Sequence, residues 1–212
     1  MKLTSKTLVA ALTLGLTGLA SAQDSATVDA VATLQQSTPP LAIGTEGTLS
    51  FGAVNIPNGT ETGHTCEYNV GVSGTTPTYA LYEFSELDQL VDASVPTPSG
   101  CDWGSTSTPD ASYGMFGVTC NAASAVDFTA TWTSGGTTGV TLEPGSGTVW
   151  RSFANSDFTS AITSGSSAGA MTSTCPANGT MYVAVGGRLV VGTDASAGSD
   201  VTIGTVTLEA TY

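Results

Sequence analysis

Residues 185–212, VGGRLVVGTDASAGSDVTIGTVTLEATY, end the chain on an alternating pattern. Val206, Leu208, Ala210 and Tyr212 fall on one side of an extended strand, and the threonines and the glutamate between them fall on the other. A period of two residues is typical of a half-buried β-strand. Because the ends of most domains fray unless they are tied down, the pattern predicts that something holds this terminal strand in place.

The rest of the chain has the composition of an all-β protein. It contains 26 glycines, and only 10% of its residues are charged. Short alternating runs separated by glycine or Asn-Gly turns, such as 48–56, predict a β-sandwich or barrel over residues 41–212. The segment 74–110 breaks the pattern and is interpreted as an insertion. Within it, FSELDQLVD (84–92) predicts a short helix capped by Ser85.

The first residues predict export. Lys2 and Lys6 precede an apolar run over 8–19, and Ala-Ser-Ala follows at 20–22. This is the pattern of a signal peptide over residues 1–22. The alternative is an N-terminal membrane anchor, which the short apolar run disfavours. No later stretch could span a membrane as a helix, so no membrane insertion is expected after cleavage.

The charge balance excludes several classes of partner. Once Lys2 and Lys6 leave with the signal peptide, Arg151 and Arg188 face 17 acidic residues. Nucleic acid binding is not expected, because few cations remain to displace counterions from phosphates. Anionic lipid is disfavoured for the same reason. Without lysine, the exported chain also has no Lys–Asn isopeptide crosslink, and any covalent bracing must come from cysteine.

Four cysteines lie in the exported part of the chain: Cys66, Cys101, Cys120 and Cys175. An even number in a secreted chain predicts two disulfides, and four cysteines allow three connectivities. We favour Cys66–Cys101 with Cys120–Cys175, although the sequence leaves all three open. Each bond should stabilise the fold by about 3 kcal/mol through loop closure. A zinc site is the alternative, disfavoured by a single histidine and unsuitable spacing.

No pattern of residues indicates an enzyme. His64 lies in a turn-rich stretch, where we expect an exposed loop histidine, and G-x-S-x-G is absent from the sequence. Glu83, Glu86, Asp88 and Asp92 could supply a carboxylate pair for acid–base chemistry. In an acidic secreted protein such a cluster is expected to be solvated. We therefore expect neither catalytic residues nor a bound cofactor.

Two kinds of ligand remain open. Asp102 and Asp110 lie in predicted loops and could contribute oxygen ligands to Ca²⁺, although the sequence has no D-x-D-x-D-G loop. Trp103, Tyr113 and Trp150 could form a platform on which a sugar ring stacks. Trp103 lies inside the predicted insertion, which makes that segment the candidate binding loop.

Four motifs stand out in the chain: TLSFGAV (48–54), YGMFGVTCNAASAVDFTATW (113–132), VAVGGRLVV (183–191) and IGTVTLEATY (203–212). Together they resemble a family of secreted bacterial β proteins, the domain of unknown function 4402. The similarity covers about residues 26–66 and 111–212. The chain departs from the family pattern at Cys120, where the family usually has glycine, and in the insertion at 74–110.

The family is similar to spore coat U proteins and to the fimbrial subunits of chaperone–usher pili. The resemblance implies an immunoglobulin-like sandwich that lacks one strand and receives it from a chaperone and then from a neighbouring subunit. It also implies that Tyr212 and the terminal strand are needed in the core, either centrally or along the receiving groove. The candidate donor strand lies in an N-terminal arm, residues 23–40, and its inward-facing residues are Ala26, Val28, Ala30, Ala32 and Leu34.

Two functions are carried forward. The first is a structural subunit of a surface fibre, pilus or coat, exported through the periplasm to the fimbrium and assembled by strand exchange between copies. A periplasmic chaperone and an usher are possible partners. The second is a monomeric adhesin or carbohydrate-binding module, in which the arm pairs within its own domain and Trp103 serves the binding loop.

Overall fold

The computed structural model forms thirteen β-strands over the residues it describes, with no helix among them. The predicted signal peptide and the arm with Ala26, Val28, Ala30, Ala32 and Leu34 lie outside the described residues. The described residues are 41–58, 63–84, 91–92, 100–104, 110–145, 150–165 and 170–212.

The strands are short and follow one another through turns and brief loops. In chain order they are β1 (Ala42–Gly47), β2 (Thr65–Ser73), β3 (Thr76–Phe84), β4 (Val91–Asp92), β5 (Gly114–Thr119), β6 (Ala125–Ser134), β7 (Val140–Glu143), β8 (Trp150–Phe153), β9 (Ala161–Gly165), β10 (Ala170–Thr174), β11 (Thr180–Val185), β12 (Gly187–Gly192) and β13 (Gly204–Thr211).

Every strand pairing in this part of the chain is antiparallel, and the strands form three sheets. Sheet I has the order β1-β5-β11-β8-β9, sheet II the order β10-β6-β13, and sheet III the order β4-β3-β2-β12-β7. The predicted all-β class is therefore confirmed, and the layered sheets are consistent with a β-sandwich.

Strand β6 illustrates why these sequences form strands. Val126, Phe128 and Ala130 are buried, while Asp127 and Thr129 between them are exposed. Alternation at period two places one set of side chains on the core and the other in water. The same alternation in the partner strands puts Met171 opposite Phe128 on one side and Ala210 opposite it on the other. Sheet II thus presents one continuous apolar face.

That face packs on sheet I to form the first core. Fully buried side chains from both sheets meet there, including Val118, Phe128, Met181 and Val183. The hydroxyls of Ser152 and Ser173, one from each sheet, lie 2.7 Å apart and satisfy each other inside the core. A buried polar pair of this kind avoids the cost of an unpaired hydroxyl.

The second core lies under sheet III. Tyr68, Val70 and Leu189 pack there against residues of the segments 49–56, 101–104 and 110–113. The stretch 48–56, predicted as a strand, instead runs as an irregular cover with isolated bridges at Ser50 and Val54. Backbone hydrogen bonds to residues 102–104 and 112 pair some of the N–H and C=O groups of this segment.

The structure differs from the predicted insertion at 74–110. Residues 76–84 form β3, which pairs with β2 along its whole length, from Ser73↔Thr76 to Thr65↔Phe84. The predicted helix over 84–92 is wrong at both ends, because Phe84 ends β3 and Val91–Asp92 form β4. Residues 85–90 lie outside the described part. Pairing of β4 with Tyr82 and Glu83 outweighs the local helical pattern.

Both favoured disulfides are confirmed. Cys66 and Cys101 are bonded with Cα atoms 5.5 Å apart, and Cys120 and Cys175 with Cα atoms 6.0 Å apart. All four side chains are at most 2% exposed. Two disulfides indicate an oxidising environment such as the periplasm or the extracellular space. The described residues include no helix long and apolar enough to cross a membrane.

Candidate functional site

The terminal strand lies at a sheet edge. Strand β13 pairs with β6 from Gly204↔Ser134 to Thr211↔Asp127, and sheet II ends with it. Val206, Leu208 and Ala210 all pack on the first core, and Leu208 is 7% exposed. The strand is therefore held on one side by β6 and on one face by the core.

Tyr212 is the exception to the predicted pattern. The expectation that its side chain is needed in the core does not hold, because 54% of it is exposed. The phenol oxygen instead accepts a hydrogen bond of 2.7 Å from the backbone N–H of Asn121. Strand β13 ends at Thr211. The Tyr212 side chain lies beside the turn between β5 and β6, and its hydrogen bond holds the chain end at the surface.

Strand β1 is the corresponding edge of sheet I. It pairs with β5, placing Ile43 beside Val118 and Thr45 beside Phe116 on the face that carries the first core. Yet Ile43 is 36% exposed, and Thr45 is exposed as well. Side chains on a core face are normally covered by the opposite sheet. Here sheet II ends at β13 and does not extend over Ile43 and Thr45.

An apolar groove lies between these two edges. Strands β1 and β13 approach within 8 Å, Cα to Cα, but belong to different sheets and do not pair. The groove has a volume of about 220 Å³. Its walls are Thr45, residues 47–49 and residues 203–206, and its other lining residues are Phe51, Gly114, Phe116, Leu142 and Val185.

The groove chemistry suits an extended apolar chain. None of its described lining residues carries a charged side chain. Glycines keep parts of the wall flat: a Cβ on Gly114 would lie 3.1 Å from Val185 Cγ2, and one on Gly47 would lie 3.2 Å from Met115 Cβ. A sheet edge offers backbone hydrogen bonds to an added strand, and an apolar floor accepts alternate side chains. No pattern in the sequence indicates this groove, because its walls are distant in the chain.

The predicted aromatic platform is not assembled. Trp103 packs edge-on against Tyr68 and Tyr79 in the second core, with ring centroids 5.0 Å and 5.8 Å away. Trp150 is 1% exposed and belongs to the first core. Tyr113 packs beside the second core and also contacts Phe158. The three rings therefore serve packing, and Trp150 lies in a different core from Trp103 and Tyr113.

The prediction of an exposed loop histidine is wrong. His64 is 2% exposed, and its Nε2 lies 2.6 Å from Glu83 Oε1. Strand β3 causes the difference, because pairing with β2 brings Glu83 opposite Cys66, two residues after His64. Because the sequence pattern predicts that residue 83 lies in an insertion, it does not place the two side chains together.

The other predicted ligand residues do not converge within the described part of the chain. Asp102 and Asp110 belong to no group of metal-ligating side chains there; the group found consists of His64, Glu83 and Cys101. Glu86 and Asp88 lie outside the described residues, as does the side chain of Asp92. Among the described residues, Asp102 and Asp110 therefore build no calcium site.

Arg188 is engaged in the sheet rather than offered to a ligand. On the outer face of sheet III its guanidinium donates a hydrogen bond of 3.0 Å to Glu67 and another to Glu143. Burial raises the pKa of Glu67, and the nearby Arg188 partly opposes that rise. The cation braces three adjacent strands, β2, β12 and β7.

Burial of Tyr68 predicts weakening of the fold in alkali. Its hydroxyl donates a 2.6 Å hydrogen bond to the carbonyl of Asn55, and desolvation raises its pKa far above the usual value near 10. Because the pKa of this phenol is higher in the folded than in the unfolded state, the protonated phenol stabilises the fold at neutral pH. That contribution is lost progressively as the pH rises above the pKa of the unfolded state. The free energy of unfolding should fall above about pH 10, by up to roughly 1.4 kcal/mol per pH unit for this group.

Urea denaturation across that range checks this expectation. The Tyr68→Phe variant should show a shallower pH dependence than the wild type. Equal slopes for the two proteins would contradict it.

No family model, curated protein or solved structure matches this chain.

Proposed function

We propose that this protein is a secreted structural subunit of a bacterial surface fibre, pilus or coat, assembled by β-strand exchange. In this proposal the domain is an incomplete immunoglobulin-like sandwich of the domain of unknown function 4402 family. The groove between β1 and β13 receives a strand from a neighbouring copy. The observation that carries the proposal is the exposure of Ile43, at 36%, on the core-facing side of β1.

The arm is long enough to lie along either edge strand of the groove. Residues 26–34 place alanine, valine or leucine at every second position. At about 3.3 Å per residue, this stretch would span about 30 Å when extended. The two groove edges, β1 and β13, contain six and eight residues. Mostly small side chains suit a wall that glycines keep flat.

The connection to β1 favours a donor from another copy. Residues 35–40, QQSTPP, separate the arm from the start of β1 at Ala42. To lie antiparallel to its own β1, the arm would have to reverse direction within this stretch. Pro39 and Pro40 fix their own φ angles, and each disfavours a helical turn in the residue before it, so they promote extended backbone. In this proposal, an extended connection would carry the arm to a neighbouring copy.

Export and covalent bracing support the same role. The two disulfides suit an oxidising compartment, and the predicted signal peptide leads there. A fibre subunit on a cell surface gains from crosslinks that resist unfolding. A periplasmic chaperone would fill the groove before assembly, and an usher would exchange that strand for the arm of the next subunit.

Site-specific photo-crosslinking tests what covers the core-facing side of β1 next to the groove. A photoreactive phenylalanine analogue at Ile43 should capture residues 23–36 of a second copy, identified by mass spectrometry. Mixing isotopically heavy and light protein separates capture between copies from capture within one chain. The same analogue at Ala42, whose side chain lies on the opposite face of β1, is the control.

The result distinguishes the two functions that the sequence leaves open. Heavy–light crosslinks between Ile43 and the arm support strand exchange. Crosslinks confined to single chains would show that the domain closes its own sandwich, and the monomeric binding-module function would then replace the proposal.

A further inference from the structure

The Cys66–Cys101 disulfide lies beside a buried histidine and carboxylate. His64 comes two residues before Cys66, and Glu83 is the partner of Cys66 in the pairing of β2 with β3. His64 Nε2 and Glu83 Oε1 are 2.6 Å apart. One potential ligand atom from each of His64, Glu83 and Cys101 lies within 4.8 Å of the other two. Three metal-ligating side chains thus converge, and Cys66 is bonded to the Cys101 sulfur beside them.

These four side chains form a donor set that suits zinc. An imidazole nitrogen, a carboxylate oxygen and two thiolates bind Zn²⁺ tetrahedrally, with Zn–S near 2.3 Å and Zn–N near 2.0 Å. Such bonds place ligand atoms about 3.3–3.8 Å from one another. The observed spacing therefore needs shifts on the order of 1 Å. In the oxidised chain the two sulfurs are bonded to each other and supply no thiolate.

We propose that the reduced chain binds one Zn²⁺ through His64, Cys66, Glu83 and Cys101, and that oxidation replaces the metal with the disulfide. The oxidant is a disulfide of a dithiol oxidase or of a small molecule. The two bound thiolates form the Cys66–Cys101 bond and lose two electrons. The oxidant's S–S bond accepts them, takes up two protons and becomes two thiols, and Zn²⁺ leaves.

Burial explains why a cation would be favoured in the reduced state. His64, Cys66 and Cys101 are all at most 2% exposed, and the side chain of Glu83 is 12% exposed. Thiolates and a carboxylate in such surroundings are costly unless a cation neutralises them. Zinc would also hold the two sulfurs of a newly exported chain close together until an oxidant arrives.

The second disulfide provides an internal control. Cys120 and Cys175 are equally buried, but they pack among apolar residues of the first core, such as Val118, Val126 and Met181. Within the described residues, no histidine or carboxylate joins them in a metal-ligating group. Reduction of this bond should therefore create no comparable zinc site.

Metal titration of two full-length variants tests the proposal. Cys120→Ala/Cys175→Ala keeps the proposed ligands, whereas Cys66→Ala/Cys101→Ala keeps the control pair. Each is reduced with a phosphine, freed of metal and titrated with Zn²⁺ against a chromophoric chelator. We expect one tight site in the first variant and none in the second. Adding His64→Gln to the first, which keeps a polar side chain, should weaken binding at least about tenfold.

Two further readouts separate this site from adventitious binding. Co²⁺ in place of Zn²⁺ should give the absorption of a tetrahedral thiolate complex. Zn²⁺ should raise the melting temperature of the reduced first variant, or refold it if reduction has unfolded it. Equal affinity with and without His64, a tight site in the second variant, or binding without any thermal shift or refolding would each overturn the proposal.

Discussion

The Thr45→Trp variant should lose self-assembly while its domain stays folded. Thr45 is exposed, lies on the core-facing side of β1 and lines the groove. An indole there would occupy space that the proposal reserves for the donor strand. Because the groove holds only about 220 Å³, one large side chain should block it. We expect the polymeric fraction, measured by sedimentation and electron microscopy, to fall at least about tenfold, which corresponds to about 1.4 kcal/mol or more of lost binding.

Matched variants decide whether the groove is responsible. Ala42→Trp adds the same ring to the opposite, exposed face of β1 and should leave assembly unchanged. Deletion of residues 23–36 should abolish polymers and leave a folded domain. The melting temperature of Thr45→Trp should match or exceed that of the wild type, because the added ring covers apolar surface. Normal polymers from Thr45→Trp, or from the truncated chain, would contradict the proposed role of the groove.

The Gly186→Ala variant should lose much of its stability. Gly186 connects β11 to β12, and a Cβ at this position would lie 2.0 Å from the carbonyl oxygen of Val70. Val70 belongs to β2, which is paired on both sides, so the clash cannot be relieved by a side-chain rotation. The carbonyl of Gly186 also accepts a 2.9 Å hydrogen bond from Trp132 Nε1–H. Overpacking of this kind costs 1–3 kcal/mol or more, and we expect about 3 kcal/mol.

Gly44→Ala is the matched control for that substitution. Gly44 lies in edge strand β1, and a Cβ there would meet no atom within 4 Å. Urea denaturation should show a free energy of unfolding within about 0.5 kcal/mol of the wild type for Gly44→Ala. If Gly186→Ala were equally mild, the close approach of the β11–β12 connection to β2 would be refuted.

Patterns local to one strand were predictable from the sequence. The alternation of Val206, Leu208 and Ala210 in β13 and that of Val126, Phe128 and Ala130 in β6 follow from the geometry of a half-buried strand. The cysteine count and the export signal predicted two disulfides. Their favoured pairing agrees with the structure, but the sequence alone allowed the other two connectivities.

Features that depend on contacts between distant segments were not predictable. Tyr79 and Leu81 have the spacing of a strand. The proline-rich and polar stretches around residues 76–84 are nevertheless typical of a loop insertion. Once β3 is placed against β2, the burial of His64 beside Glu83 follows. The exposure of Tyr212 has a similar cause, since only tertiary structure places the turn at Asn121 within reach of its hydroxyl.

The groove shows most clearly why contacts between distant segments could not be predicted from the sequence. Its two walls lie about 160 residues apart along the chain, and neither strand has an unusual sequence. Alternation marks which side chains face a core, but it cannot show whether another strand covers them. The exposure of Ile43 on a core-facing position is visible only after sheets I and II are both placed.

Gel electrophoresis of the sheared surface fraction of expressing cells tests the central claim most directly. The fraction is run in detergent without a reductant, both unboiled and boiled, and probed for this chain. Strand exchange predicts a ladder of multimers that collapses to monomer only on boiling, because each subunit is locked by a buried strand of its neighbour. A single monomer band in both lanes would contradict the account and would mean that the groove is closed within one chain.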